Sequence, residues 1–265
     1  MDKKIKIEVP VMADLAAKGE NPEYLYWVGC AGAFDDRYKK VSRAFIKILT
    51  HFNISYAVLG VEESCTGDPA RRAGNEMLFQ MQALTNIETF KRYGIKKIIT
   101  TCPHCFNTLK NEYPDLGGEY EVVHYTQFLQ QLKNKGILKI SDNIFLGKTI
   151  TFHDPCYLGR ANCEYEAPRE VIKTLSTHNK EMKRNKSFAL CCGAGGAQMF
   201  KEAEKGEKEI FIERTEEALE TGADIIATAC PFCMTMLTDG LKYKNKEEEV
   251  KNLDIAELIA EALNL

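Results

Sequence analysis

Two adjacent cysteines, Cys191 and Cys192, are followed by three glycines within four positions, Gly193, Gly195 and Gly196. Neighbouring Cα atoms stand about 3.8 Å apart, whereas a disulfide needs about 4.4–6.8 Å, so vicinal thiols do not readily bridge each other. They are better read as ligands. Cys156 lies upstream in His153-Asp154-Pro155-Cys156, and Cys230-Pro231-Phe232-Cys233 lies downstream. One half of the chain thus holds five thiols in the order C, CCG, CxxC. A structural zinc site takes four ligands at a tetrahedral ion, so five thiolates point to an iron–sulfur cluster instead.

The same order occurs earlier. Cys30, the run Ser64-Cys65-Thr66-Gly67, and Cys102-Pro103-His104-Cys105 precede their counterparts by 126, 127 and 128 positions when Cys65 is set against Cys192. Steady offsets indicate a tandem duplication. In this register Ser64 stands where Cys191 stands, which leaves the first copy four thiols, Cys30, Cys65, Cys102 and Cys105.

The chain of 265 residues is long enough for two domains of ordinary size. With 35 basic and 38 acidic residues its formal charge is −3, and it carries no basic block, so no nucleic-acid surface is expected. Residues 1–10 lack the apolar core and cleavage site of a signal peptide, from which a reducing, cytoplasmic setting is expected. There, ten cysteines with CxxC spacing favour metal or redox chemistry over disulfides. No run approaches the 18 or so apolar residues of a membrane span, so any membrane contact is expected to be peripheral, through a partner.

Residues 1–23 read as a lead-in, 24–140 as a first repeat domain and 149–265 as a second, with a charged, glycine-containing linker at 134–148. In the first half, strands are expected at 24–28, 54–59, 96–100 and 121–124, and helices at 37–51, 68–93, from 103, and at 126–132. Asp68 and Pro69 supply an N-cap and a first helical position. In the second half, strands are expected at 149–152, 187–190 and 223–228, and helices at 168–175, 198–220, 231–237 and 255–263. Alternation of this kind predicts an α/β fold: two tandem similar domains related by a pseudo-twofold, each a parallel sheet with helices on both faces. Every cysteine group then follows a strand, and ligands collect beyond the carboxyl ends of strands in such sheets.

In each CxxC pair, proline pre-sets the first helical turn, so both thiols meet the N–H groups and dipole of a helix N-terminus, which favour thiolate. Gly193, Gly195 and Gly196 allow close backbone approach and an N–H-lined concavity suited to the sulfides of a cluster. This run is not G-x-G-x-x-G, which counts against a nucleotide site. Cys163 has no thiol counterpart, since Arg37 stands at the matching position, and it reads as a buried or free thiol. His104 and His153 are the best candidates to support ligands without being ligands; His124, Arg71, Arg72 and Arg160 default to structural or solvated roles.

The arrangement Cys156, Cys191-Cys192-Gly193 and Cys230-Pro231-Phe232-Cys233 resembles the cysteine-rich (CCG) domain family. That family includes the B-type subunit of heterodisulfide reductase and the iron–sulfur subunits of glycolate, lactate and glycerol-3-phosphate oxidation. The stretch from Glu63 to Arg72 further resembles the C-terminal part of quinone-linked iron–sulfur oxidoreductases that accept electrons from electron-transfer flavoprotein. The resemblance covers nearly the whole chain from about Tyr24. It implies a non-cubane [4Fe–4S] cluster on Cys156, Cys191, Cys192, Cys230 and Cys233. It leaves a cubane [4Fe–4S] cluster or zinc for Cys30, Cys65, Cys102 and Cys105. It also implies an iron–sulfur oxidoreductase component, active in a complex, passing electrons between a ferredoxin-like or flavoprotein partner, or a membrane subunit, and a terminal acceptor, quinone favoured. A disulfide reductase working at the cluster and a zinc-stabilised interaction module are the alternatives, and the resemblance assigns no catalytic residue.

Overall fold

The computed structural model describes residues 8–140, 144–175, 178–202 and 206–265. In chain order the regular elements of the first half are α1 (Met12–Ala17), β1 (Tyr24–Trp27), α2 (Gly29–Phe34), α3 (Tyr38–His51), β2 (Tyr56–Ala57), α4 (Asp68–Arg72), α5 (Glu76–Tyr93), β3 (Lys97–Thr100), α6 (Pro103–Asn107), β4 (Glu121–His124) and α7 (Tyr125–Asn134). The second half adds β5 (Thr149–Phe152), α8 (Glu166–Ile172), β6 (His178–Asn179), α9 (Ile210–Glu220), β7 (Ile225–Thr228), α10 (Pro231–Tyr243), β8 (Lys251–Asp254) and α11 (Ile255–Ala262).

Two four-stranded sheets result, ordered β2-β1-β3-β4 and β6-β5-β7-β8, with every strand pair parallel. The α/β fold with two tandem repeats is as expected. Successive strand residues face opposite sides, which lets one short strand feed two cores. Leu25, Trp27 and Ile98 pack against Phe79, Ala83, Ile87 and Phe90 of α5 on the outer face of the first sheet. Tyr26 and Ile99 point the other way, into a core that also takes Ile150, Phe152, Ile225 and Ala227 of the second sheet. Ile226 faces outward again, onto Ala218 of α9 and Leu237 and Leu241 of α10.

The shared core joins the halves with pseudo-twofold logic: α3 packs on α11, and α8 packs on α7. On α3, Val41, Phe45, Ile48 and Leu49 are fully buried, and each such side chain contributes about 1.5–3 kcal/mol relative to exposure. Polar pairs repeat the symmetry at the rim. Glu257 closes a capping box at the start of α11 and takes both terminal nitrogens of Arg37 at 2.7 and 2.8 Å; Gln127 does the same for α7 and donates to Glu164 at 2.6 Å.

Several expected elements differ. The helix expected over 68–93 breaks at Gly74, whose φ of +88° is left-handed, so α5 restarts under an Asn75 cap that accepts the Leu78 N–H at 3.0 Å. No strand forms at 187–190; the chain makes a 3₁₀ turn at Lys186–Phe188, and the edge position is filled by β6, a polar two-residue strand without an apolar signature. Over 198–220, Gln198–Phe200 is a single 3₁₀ turn and the helix begins at Ile210; residues 203–205 lie outside the described residues. The lead-in is tied down where described: Met12 N–H donates to Val58 O at 2.8 Å, and Met12 is buried. The linker also packs, burying Leu138 and Phe145 in the shared core.

Candidate metal centre

In both sheets the strand order reverses beside the first strand, so the loops leaving β1 and β3, and those leaving β5 and β7, diverge around a crevice. Cys30 follows β1 and Cys102 follows β3; Cys156 follows β5 and Cys230 follows β7. The third loop of each half brings Cys65, or Cys191 and Cys192, to the same edge. Nine cysteines therefore gather in two groups, each buried or half-buried, and none is bridged. Cys163 stands apart and exposed.

The second group is Cys156, Cys191, Cys192, Cys230 and Cys233. Cys191 is the hub: hydrogen bonds with Cys156 and Cys192 hold its thiol far below the usual range, while Cys156 and Cys192 are correspondingly raised. The Gly193 N–H donates to Cys191 Sγ at 3.3 Å, and φ of +93° at Gly193 is what aims it there. Gly195 and Gly196 do something else. They form the next turn, with Gln198 N–H donating to Gly195 O at 3.2 Å, and space beside them is open. Cys230 caps α10 and, against the burial that would raise it, is pulled down to about 5 by hydrogen bonds from Cys233 and His104.

The first group lines a narrow cavity with Cys30, Cys65, Cys102 and Cys105 on its wall, together with Thr66, Asp68, His104 and Phe232. Position 29 favours glycine through its left-handed φ of +75°, while a Cβ there would make only an ordinary contact with Cys105 Sγ, at 3.4 Å. A hydrogen bond with Cys30 draws Cys65 down to about 7 and pushes Cys30 up, as Cys156 and Cys191 do in the other half.

That likeness corrects the sequence register. Gly67 N–H donates to Cys65 Sγ at 3.4 Å from a φ of +90°, the same device that joins Gly193 to Cys191. Cys65 therefore matches Cys191, at the offset of 126 that also relates Cys30 to Cys156. The residue standing where Cys192 stands is Thr66, whose hydroxyl faces Cys105 Sγ at 4.0 Å as Cys192 faces Cys233. Ser64 is not the substituted ligand position; its hydroxyl turns away and donates to Asn86 Oδ1 at 2.8 Å.

The two groups meet across the pseudo-twofold. The third residues of the two CxxC motifs, His104 and Phe232, touch edge to face with ring centroids 4.7 Å apart. His104 also stacks on Tyr157 at 4.2 Å and pairs with Asp68, whose Oδ2 lies 2.9 Å from Nδ1. Burial disfavours charge on His104, but Asp68 and Cys230 outweigh it and raise the imidazole to about 10. A cationic ring from the first half thus donates to a thiol of the second. Asp68 does not cap α4; Gly67 holds that position, and the carboxylate serves His104 and Arg72 instead. Arg71 and Arg72 are not simply solvated, since both pair with Glu112. Arg160 donates to Ala189 O at 2.6 Å, bracing the loop before Cys191.

Sequence reasoning missed Glu63 and Arg214. Glu63 accepts the Val28 and Gly29 N–H groups at 3.2 and 2.6 Å, pinning the loop that presents Cys30, while burial raises its carboxyl to about 7. Arg214 is fully buried and donates to His153 and Glu217. No local pattern marked either, since Glu63 reaches Gly29 across 34 residues and Arg214 reaches His153 across 61. His124 stays structural, buried at the start of α7 with Nδ1 2.7 Å from Thr126 Oγ1.

The sequence matches the cysteine-rich domain family, CCG, over residues 24–110 and 150–238. It is 44% identical over 257 residues to the probable iron-sulfur-binding oxidoreductase FadF of Bacillus subtilis, covering 97% of this chain and 36% of that one. Against the EtfAB:quinone oxidoreductase of Syntrophomonas wolfei it is 45% identical over 255 residues, covering 94% and 35%. It is 36% identical over 259 residues to the D-type subunit of the dihydromethanophenazine:CoB–CoM heterodisulfide reductase of Methanosarcina barkeri, covering 93% and 60%. The chain spans roughly a third of the length of the first two.

Proposed function

Because this chain belongs to the cysteine-rich CCG domain family, we propose that it is the cluster-bearing part of an iron–sulfur oxidoreductase, relaying electrons from a ferredoxin-like or flavoprotein partner toward a quinone-type acceptor. The observation that supports this most is the convergence of nine unbridged thiols into two adjoining groups at the sheet edges. The donor set fits iron–sulfur clusters. It is all sulfur, it is buried or half-buried, and each group has a buried ring N–H at hand: Trp27 beside Cys105, and His153, whose Nε2 has no hydrogen-bond partner and whose ring lies close to Cys192 and Cys233.

Cys156, Cys191, Cys192, Cys230 and Cys233 would hold a [4Fe–4S] cluster of the non-cubane kind, and Cys30, Cys65, Cys102 and Cys105 a cubane cluster or zinc. Bound clusters supply reversible one-electron chemistry at potentials set by their surroundings. The chain's part is to hold and tune them. The α10 N-terminus, the Gly193 N–H and cationic His104 stabilise negative charge on the second group, while the packed rings of Tyr157, His104 and Phe232 exclude water between the groups. No helix among the described residues is long and apolar enough to cross a membrane.

Iron, sulfide and zinc content of anaerobically purified protein, with its EPR spectrum, tests this reading. About four iron and four sulfide per occupied centre is the expected result. Zinc alone, with a colourless protein, would move the chain to an interaction module. Steady consumption of a thiol–disulfide substrate by the holo complex would move it to disulfide reduction.

A further inference from the structure

His153, Cys192 and Cys233 place a ring nitrogen and two thiols within 4.8 Å of one another, all buried, which is the separation of a metal site. The ring's other contact decides what it does there. Arg214 Nε donates to His153 Nδ1 at 2.9 Å, and a guanidinium keeps its protons in proteins, so Nδ1 can only accept. A neutral ring whose Nδ1 accepts carries its proton on Nε2. That N–H is buried and has no partner in the protein, and a nitrogen of the same ring lies within 4.8 Å of both thiols.

A histidine that ligates a metal shows the opposite arrangement, giving its second N–H to a carboxylate or carbonyl so that the ligating nitrogen is free of protons. We propose that His153 is not a ligand but an N–H donor to sulfur of the second centre, its tautomer locked by Arg214, and that this bond raises the centre's reduction potential. The reason is charge: reduction adds an electron to the sulfur framework, so a donor aimed at sulfur stabilises the reduced state more than the oxidised one. Arg214 is a positioning residue, held in turn by Glu217 and by the Arg184 carbonyl at 2.8 Å.

This inference rests on the proposed iron–sulfur reading, and its test separates the two. The second-centre EPR signal is defined as the one lost in Cys192→Ser protein. In the wild-type protein, pulsed EPR should show at that signal a proton coupling that disappears in D2O, with only weak nitrogen coupling. His153→Phe should keep its iron and lower the midpoint by at least a tenfold change in the reduction equilibrium, about 59 mV for one electron. His153→Gln, which retains an amide N–H near the position of Nε2, should recover much of the shift. Strong nitrogen coupling in wild type, or iron lost from the second centre alone in His153→Phe, would make His153 a ligand and overturn the proposal. An unchanged potential in His153→Phe with iron retained would also overturn it. Absence of any iron–sulfur signal in wild-type protein would instead remove the reading beneath it.

Discussion

Replacing Thr66 with cysteine should complete a five-thiol set in the first repeat. Thr66 is 2% exposed, and its Oγ1 lies 4.0 Å from Cys105 Sγ, close to a thiol–thiol contact distance. Cysteine has one heavy atom fewer than threonine, so the new Sγ fits where Oγ1 is, and the lost methyl and weak O–H···S contact cost about 1 kcal/mol. Ser64→Cys is the control. It breaks a 2.8 Å bond to Asn86 Oδ1, an amide that also donates to Cys65 O at 3.0 Å and Tyr113 OH at 2.9 Å. Leaving that acceptor unpaired costs roughly 1–3 kcal/mol and adds no thiol to the cavity. Both proteins would be reconstituted anaerobically and compared by iron, sulfide and EPR. The first-centre signal should change toward that of the second in Thr66→Cys and remain as in wild type in Ser64→Cys. A changed signal in Ser64→Cys with none in Thr66→Cys would refute the structural register.

Cys192→Ser should abolish or alter the second-centre signal while Cys163→Ser, an exposed change, leaves iron content and spectrum intact. Glu63 has a folded-state carboxyl raised from 4.5 to about 7, so the stability it contributes is full below about 4.5 and lost as pH rises through about 7; Glu63→Gln should flatten that decline, worth roughly 3 kcal/mol, in urea titrations of metal-free protein. His104 is raised from 6.5 to about 10 in partnership with Asp68, so its contribution is full below about 6.5 and fades through about 10; Asp68→Asn should lower stability most at about pH 5–6.5 and least above pH 10. Pull-down from native lysate should recover an iron–sulfur or flavin partner, and full acceptor reduction by the lone chain with a small-molecule donor would sink the relay reading.

The thiol pattern and the strand–helix alternation made the fold and both cysteine groups legible, because parallel strands and their loops follow local apolar runs. Position 66 was misread for a specific reason. The offsets 126, 127 and 128 look like steady drift, yet they conceal a jump from 126 to 128 after Gly67, and only the matching left-handed glycines locate it. Aligning Cys65-Thr66-Gly67 with Cys191-Cys192-Gly193 by the glycine would have exposed it. Strand β6 was hidden because His178 and Asn179 are exposed polar residues whose strand is defined by its pairing with β5. Glu63, Asp68 and Arg214 owe their roles to partners 34, 36 and 61 residues away, which no window of local pattern reaches.

The packing of α3 against α11 ties the earliest long helix to the last one, and Phe232 forms part of the wall around the first thiol group. During synthesis the N-terminal repeat therefore emerges with its inner apolar face uncovered and its cysteine cavity unroofed until the second repeat has followed. A cluster delivered to Cys30, Cys65, Cys102 and Cys105 in that interval would sit open to oxygen and water. The order of events that the architecture favours is docking of the two repeats first, with any cluster loaded afterwards onto one completed scaffold.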